Sequence, residues 1–256
     1  MRVIDKLPKT PNLNEKLVRM ITGLLFLKDA HIGNNGEYGK FDAKTVLQIM
    51  GNIAFLNDMF NGNKLNVNIS KIPKLVISGG INPAYKENTQ ETALVKQLYT
   101  MDGKDWNDVL TIPEAKIISN RLSKDKFNPF ISQIYLETNS TNLKENITMS
   151  RDAGFYNGIK DLFLFTTKEN TLRSVATARA NLHDVNIASV SYTPTIPTMN
   201  IKVDESNWAK HPLSQQYVYG EFLRVVKYSE EKDILLTDTE QTKLNAIINE
   251  FTLNSK

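Results

Sequence analysis

Residues Ile134 to Asn146 read IYLETNSTNLKEN, a short apolar run that meets a polar turn and then the start of a helix. Asn142 is followed by Glu145 three residues later, which is the spacing of a helix-capping box. We therefore predict a strand over 133–137 and a helix that begins at Asn142. An apolar strand that leads through a polar turn into a helix is the repeating unit of an α/β fold.

Four other apolar runs repeat this design and are predicted as strands: KTVLQIMGN at 44–52, KLVISGG at 74–80, DLFLFTT at 161–167 and NIASVSY at 186–192. Continuous apolar runs are typical of strands buried inside a parallel sheet. Helical patterns lie between the runs, through Phe60, at 91–101, at 113–122 and at 171–182, and we expect residues 101–111 to form a surface excursion. The fold class predicted is a three-layer, Rossmann-like α/β domain with right-handed crossovers.

Helical segments flank this domain at both ends. An amphipathic helix is predicted over 12–27, with Asn12 or Asn14 as its cap. Pro194 and Pro197 end the alternation of strands and helices, and two further helices are predicted at 212–228 and 237–251. The expected organisation is a helical extension over 1–43, the Rossmann-like domain over 44–192 and a small helical lobe over 193–256.

Composition restricts the function classes. The 31 basic and 28 acidic residues are interspersed, which gives no basic patch for nucleic acid. With no cysteine, and with His31, His183 and His211 far apart, we expect neither a disulfide nor a metal site. No apolar run reaches the roughly 18 residues of a membrane span, and the N-terminus lacks a signal-peptide core. We expect a cytoplasmic protein without a membrane span; its oligomeric state stays open.

Polar loops follow the predicted strands, and ligands of open parallel sheets bind at the carboxyl ends of the strands. The loops are Gly51-Asn52, Ser78-Gly79-Gly80, Thr138 to Asn142, and Thr166-Thr167. Glycines allow a ligand to approach the backbone closely, and helix N-termini offer N–H groups to an anion. The expected partner is a small polar or anionic molecule.

Each of these features also has a purely structural interpretation. Asn142 and Glu145 would only cap a helix, Ser78 to Gly80 would only end a strand, and Arg173 would be a solvated helix residue. The glycine-rich stretch 31–41 follows no strand and is interpreted as a turn rather than a phosphate loop. The aromatic residues of the first C-terminal helix favour core packing over an adenine platform; they are Tyr217, Tyr219, Phe222 and Tyr228.

The order and spacing of these motifs resemble the YdcF-like family, a group of bacterial proteins that also includes the SanA and ElyC types. The residues that carry the resemblance, over about 44–192, are Ser78-Gly79-Gly80, Glu114-Ala115, STNLKEN at 140–146, and Thr166-Thr167 with Arg173. The tail QYVYGEFLRVVKYSEE at 216–231 is similar to the C-terminal lobe of YdcF-type members. The resemblance implies that the loops form one site.

By that resemblance, Glu114 and Glu145 are the candidate catalytic residues. The candidate ligand-binding residues, from the loops and the resemblance together, are Gly51, Asn52, Ser78, Gly79, Gly80, Ser140, Thr141, Asn142, Asn146, Thr166, Thr167 and Arg173. Many members carry a histidine where this chain has Asn170, so a carboxylate would have to carry any proton. S-adenosylmethionine or another nucleotide is a ligand that the resemblance suggests, although Gly51 and Ser78 do not follow the usual methyltransferase pattern.

Two functions remain open at this point. The first is binding, with or without enzymatic conversion, of a nucleotide-like or phosphate-bearing small molecule at the carboxyl edge of the sheet. The alternative is a non-catalytic module in cell-envelope or stress physiology, which the SanA and ElyC types suggest. The sequence contains no Gly-x-Ser-x-Gly elbow and no P-loop motif, so it supports neither a serine hydrolase nor a P-loop hydrolase.

Overall fold

A computed structural model describes the chain in separate stretches: residues 2–9, 12–26, 31–32, 74–81, 83–87, 96, 105–123, 134–192, 195–196 and 201–254. Its contacts divide the chain into two compact units. The central unit comprises residues 40–158, and the terminal unit comprises residues 1–39 together with 159–256. Each unit combines helices with a pair of parallel strands, so the predicted α/β class is confirmed.

The predicted domain limits do not coincide with these units. The sequence predicts one domain over 44–192, whereas the contacts group residues 159–192 with the two ends of the chain. The boundary after residue 43 lies outside the described residues, and residues 193–194, next to the second boundary, do as well. The three domains therefore stay a prediction. So do the strand at 44–52 and the helical pattern through Phe60, which lie outside the described residues.

The central unit is built on strands β2 (Leu75–Ser78) and β3 (Ile134–Glu137), which pair in parallel with Ser78 opposite Glu137. Both strands are confirmed predictions. Helices α3 (Glu114–Ser123) and α4 (Leu143–Asp152) pack on the pair. The core of this unit joins Ile77 and Ala115 to apolar side chains of both strands. Since Ala115 lies in the first turn of α3, the start of this helix sits directly at the strand ends.

One helix of the central unit is absent from the sequence prediction. Within the expected surface excursion at 101–111, residues Trp106–Thr111 form helix α2. Asp105 caps it by accepting a hydrogen bond from the Asn107 N–H at 2.8 Å. Six residues are too few to show an apolar period, so only the cap could have predicted this helix. Of the helix predicted at 91–101, only Lys96 is described, and it is helical.

The terminal unit contains strands β4 (Asp161–Thr167) and β5 (Asn186–Tyr192), which pair in parallel along their whole length. Helix α5 (Thr171–Asn181) connects them and packs on both. The three elements form a βαβ unit, as predicted. The carboxyl end of β4 therefore leads directly into the first turn of α5, with a short 3-10 turn over Lys168–Asn170 between them.

Short antiparallel strands complete the terminal unit. The two-residue strand β1 (His31–Ile32) pairs antiparallel with β5, and β6 (Thr195–Ile196) pairs antiparallel with β7 (Ile201–Lys202). The sequence predicts a turn at the first of these places and a break at the second. The turn is wrong for His31 and Ile32, because a two-residue strand carries no alternation of apolar and polar side chains. The break after Tyr192 stays a prediction.

Three longer helices form the rest of the terminal unit: α1 (Glu15–Leu25), α6 (Pro212–Glu230) and α7 (Asp238–Asn254). All three are confirmed predictions, and of the two proposed caps Asn14 is the one that accepts the Leu17 N–H, at 2.9 Å. Tyr219 and Phe222 are buried, with the Phe251 ring 5.7 and 5.9 Å from theirs, so these two aromatic residues belong to the core. Among the described residues, no helix combines the length and apolar character that crossing a membrane requires.

A buried ion pair joins α5 to the start of α7. Arg179 Nη1 donates to Glu240 Oε2 at 3.1 Å and to the Leu235 carbonyl at 2.9 Å, and both charged side chains are 6% exposed. The same Glu240 forms a capping box with Thr237, whose N–H it accepts at 2.8 Å and whose hydroxyl accepts the Glu240 N–H at 3.3 Å. One carboxylate thus both begins a helix and neutralises a buried arginine.

We expect Glu240→Ala to lower the free energy of unfolding by about 3–5 kcal/mol, because it leaves Arg179 buried without its carboxylate. Denaturant unfolding followed by circular dichroism measures the change. The matched control is Glu15→Ala, whose carboxylate is 95% exposed and lies 3.9 Å from Arg19. Equal losses in the two variants would contradict a special role for the buried pair.

Candidate functional site

The predicted site residues fall into both units. Gly51 and Asn52 lie outside the described residues. The central unit holds Ser78, Gly79, Gly80, Glu114, Ser140, Thr141, Asn142, Glu145 and Asn146. The terminal unit holds Thr166, Thr167 and Arg173. Each unit therefore gathers its own predicted residues at the carboxyl end of a parallel strand pair.

In the central unit, Gly79 and Gly80 bring three backbone segments together. The Gly79 N–H donates to the Glu137 carbonyl at 3.0 Å, and the Gly80 N–H donates to the Ser140 carbonyl at 2.7 Å. A Cβ atom at Gly80 would lie 2.5 Å from that Ser140 oxygen, and Gly79 has φ +149°. Residues other than glycine would therefore push the two loops apart.

The start of α3 is closed by the same two glycines. The Gly80 carbonyl accepts the Glu114 N–H at 3.1 Å, and the Gly79 carbonyl accepts the Ala115 N–H at 2.9 Å. These are N–H groups of the kind that a helix N-terminus otherwise offers to an anion. Here these N–H groups, and those of both glycines, already donate hydrogen bonds to carbonyls of the central unit. The backbone of this loop is thus arranged for packing.

Glu137 organises the polar turn that the sequence singled out. It is 5% exposed, and its carboxylate accepts the N–H groups of Asn139 and Ser140 at 2.6 and 3.0 Å and the Ser78 hydroxyl at 2.8 Å. Burial acts to raise the pKa of Glu137, but the Ser140 side chain and these donors outweigh burial and hold the pKa below its usual value. The carboxylate therefore stays ionised and fixes the turn.

Sequence reasoning missed Glu137 because it took the residue as the end of a strand. The available signal was an acidic residue that closes an apolar run before a turn rich in N–H and hydroxyl donors. The Ser78 hydroxyl also lies 3.2 Å from the Asn146 carbonyl and 3.5 Å from the Ser150 hydroxyl. A carboxylate with a lowered pKa is a weak base, so the Ser78–Glu137 contact holds structure rather than activating the hydroxyl.

Asn142 and Glu145 cap helix α4. The Asn142 side-chain oxygen accepts the Glu145 N–H at 3.0 Å, and Glu145 Oε2 accepts the N–H and the hydroxyl of Thr141 at 2.6 and 2.8 Å. The backbone N–H of Thr141, followed by its hydroxyl, lowers the pKa of Glu145. A lowered pKa leaves little protonated Glu145 near neutral pH, which weakens it as a proton donor. Glu114 is exposed at the start of α3.

We expect Asn142→Ala to lower the free energy of unfolding by about 0.5–2 kcal/mol, the usual effect of losing a helix cap. Thermal and urea unfolding measure it. Asn139→Ala is the matched control, because Asn139 is an exposed asparagine in the same turn whose backbone N–H, not its side chain, binds Glu137. An unchanged stability in Asn142→Ala would show that the cap hydrogen bond contributes nothing.

In the terminal unit, the predicted residues lie where β4 passes into α5. The Thr167 hydroxyl accepts a hydrogen bond from Asn170 Nδ2 at 2.8 Å, and Thr166 Oγ1 lies 3.3 Å from the buried hydroxyl of Ser174. Arg173 projects from the first turn of α5. Side-chain hydrogen bonds thus join the strand end both to the 3-10 turn and to the helix.

Arg173 is held on several sides. Its Nε and Nη2 atoms donate to the two oxygens of Glu221, the latter at 3.1 Å, and Nη2 also donates to Asn170 Oδ1 at 2.8 Å. The Tyr228 ring lies 5.9 Å from the guanidinium carbon. The Arg173 side chain is only 14% exposed, so its interpretation as a solvated helix residue is wrong.

Two arginines share one buried carboxylate. Glu221 is 2% exposed and also lies 3.3 Å from Arg224 Nη1. We call these three residues, two guanidinium groups around one carboxylate, the arginine cluster (Arg173, Glu221 and Arg224). Sequence reasoning missed Glu221 and Arg224, because nothing local in α6 indicates that it packs against the first turn of α5.

A second buried acid adjoins this cluster. Glu169 has no exposed surface, and neither carboxyl oxygen forms a hydrogen bond with any residue that the structure describes. Burial, reinforced by repulsion from Glu221, raises the pKa of Glu169 against the opposing effect of the Thr167 and Tyr217 hydroxyls. The raised pKa favours the uncharged acid, which avoids burying an unpaired charge.

We expect the free energy of unfolding to fall as pH rises from about 4.5, where the unfolded glutamate ionises, towards the raised pKa of folded Glu169. The folded chain keeps a proton that the unfolded chain releases, so stability is lost over this window. Glu169→Gln should flatten the profile measured by urea unfolding between pH 4 and 8. Glu205→Gln, at an exposed ion pair with Lys168, is the control. Identical wild-type and Glu169→Gln profiles would rule out this titration.

The described residues contain no cluster of three or more histidine or acidic side chains that could hold a metal ion. Comparison with known proteins finds no matching family model, no matching curated sequence and no matching solved structure. Membership of the YdcF-like family therefore stays a hypothesis that rests on the motifs quoted above.

Proposed function

We propose that the protein binds a phosphate-bearing or nucleotide-like small molecule at the carboxyl ends of its parallel strands, with Arg173 as the anion-binding residue. We further propose that the strand pairs belong to a Rossmann-like arrangement, in which this edge is the usual ligand site. The proposal treats the protein as a binding protein first. A chemical step on the bound molecule is not required by it.

The observation that carries the proposal is the arginine cluster at the end of β4. Glu221 binds Arg173 through Nε and Nη2 and Asn170 binds Nη2 from another side, so the guanidinium is held at the carboxyl end of β4. Arg173 Nη1 forms no hydrogen bond with any described residue, which leaves two N–H donors on a guanidinium that is otherwise fixed. Arginine donors of fixed direction are well suited to phosphate oxygens.

The central unit supports binding more than catalysis. Its two proposed proton carriers are poorly placed for proton transfer, because Glu145 is engaged in the α4 cap with a lowered pKa and Glu114 is exposed to water. Position 170 carries an amide, which does not titrate. Glu169, the buried acid beside the arginine cluster, has a raised pKa that favours its uncharged form, and ligand binding is the activity that these side chains support best.

The proposal is tested by isothermal titration and thermal unfolding with nucleotides, sugar phosphates and S-adenosylmethionine. A ligand present at 100 times its Kd should stabilise the protein by about 2.7 kcal/mol. We expect Arg173→Lys, which keeps the charge but loses the planar fork, to weaken binding about tenfold or more. The control is Arg19→Lys, a change at a side chain that is 78% exposed on α1.

Two outcomes would count against the proposal. If no phosphate-bearing compound binds, a non-catalytic module becomes the better reading of the chain. If a compound binds equally well to wild type and to Arg173→Lys, the anion site lies elsewhere. S-adenosylmethionine distinguishes recognition of an adenosine group from recognition of a phosphate, because it carries the first without the second.

A further inference from the structure

Most N–H donors of Arg173 are engaged by neighbouring side chains, and this determines which of them a ligand can reach. A guanidinium group on an arginine side chain has five N–H donors. Glu221 takes the one on Nε and one on Nη2, and Asn170 takes the other one on Nη2. Only the two on Nη1 form no hydrogen bond with the described residues. The direction of Nη1 is therefore fixed by the neighbours of Arg173.

Asn170 is itself held in place. Its Nδ2 atom donates to the Thr167 hydroxyl at 2.8 Å, while its Oδ1 atom accepts from Arg173 at 2.8 Å. The two ends of one amide thus connect the last residue of β4 to the guanidinium. Asn170 does not cap α5, since its side chain accepts no N–H of that helix. Its side chain is committed to the Thr167–Arg173 connection.

The Asn170 amide is uncharged, so it orients Arg173 without reducing the positive charge of the arginine, as a carboxylate would. Glu221 orients Arg173 but cancels one positive charge, which lowers the attraction for an anion. Asn170 orients Arg173 from the other side and leaves the charge of the arginine cluster unchanged. An arginine whose side chain moves freely loses rotamer entropy when a ligand fixes it. Here this ordering precedes ligand binding, which favours affinity.

We propose that Asn170 is a positioning residue of the anion site, which acts through Arg173 by holding Nη1 towards the ligand. This inference rests on the proposed function, because it assigns a role within the same site. Asn170 need not touch the ligand. Its contribution is the hydrogen bond to Nη2, made in the free protein.

The test compares wild type with Asn170→Ala, using inorganic phosphate as the probe at constant pH and ionic strength. Loss of one hydrogen bond to a charged group should weaken phosphate binding roughly fivefold to tenfold. The matched control is Asn181→Ala, at the far end of α5, where the side chain donates to the Thr177 carbonyl at 2.7 Å. This control should bind phosphate as wild type does.

A spectroscopic measurement separates positioning from direct contact. In nitrogen-15 NMR spectra of the free protein, we expect resolved side-chain signals for Arg173, assigned by their absence from Arg173→Lys. In Asn170→Ala these signals should broaden or merge, because the guanidinium gains rotational freedom. Circular dichroism and thermal unfolding confirm that the variant is folded before the spectra are compared.

Each outcome decides between the two proposals. Weaker phosphate binding together with averaged Arg173 signals supports the positioning role. Weaker binding with unchanged signals overturns it in favour of a direct contact between Asn170 and the ligand. Unchanged binding in Asn170→Ala overturns the positioning role and leaves the proposed function standing. If wild type does not bind phosphate but binds nucleotides in a way that depends on Arg173, the proposed function stands and the positioning role is overturned. If neither phosphate nor nucleotides bind, both proposals are overturned.

Discussion

A carboxylate removed from water must be paired with a cation or hydrogen-bonded, and the pairing of Glu221 with two arginines meets this requirement where β4 enters α5. The pair brings α6 against the first turn of α5 and holds Arg173 beside Asn170. Without it, Arg173 would be an ordinary helix arginine with its donors turned to solvent. The candidate anion site therefore depends on a contact between two helices that are far apart in sequence.

The described residues include four buried glutamates, and each is accommodated in a different way. Glu137 accepts two backbone N–H groups and a hydroxyl, Glu240 pairs with one arginine and caps a helix, and Glu221 is shared by two arginines. Glu169 has no such partner, and its raised pKa favours the neutral acid. The arrangement at Glu221 fixes an arginine whose Nη1 atom forms no hydrogen bond with the described residues, and the candidate anion site lies there.

The two units use the same kind of strand end differently. In the central unit, the N–H groups of Gly79, Gly80, Glu114 and Ala115 are all bonded within the unit, so the turn and the helix start are closed. In the terminal unit, the hydrogen bonds around Thr167, Asn170 and Arg173 leave one nitrogen of the guanidinium without a bond to the described residues. A polar sequence motif at a strand end thus becomes a closed turn in one case and an oriented donor in the other.

The sequence by itself determined the local elements: the strands at 74–80, 133–137, 161–167 and 186–192, the helices between and after them, and the Asn142–Glu145 cap. These follow from apolar periodicity and side-chain-to-backbone bonds within a few residues, which are properties of short segments. Only the tertiary structure decided that Glu137 fixes the polar turn and that Glu221 and Arg224 surround Arg173. Burial and ion pairing depend on which distant segments meet, and no local pattern in α6 encodes that α5 lies against it.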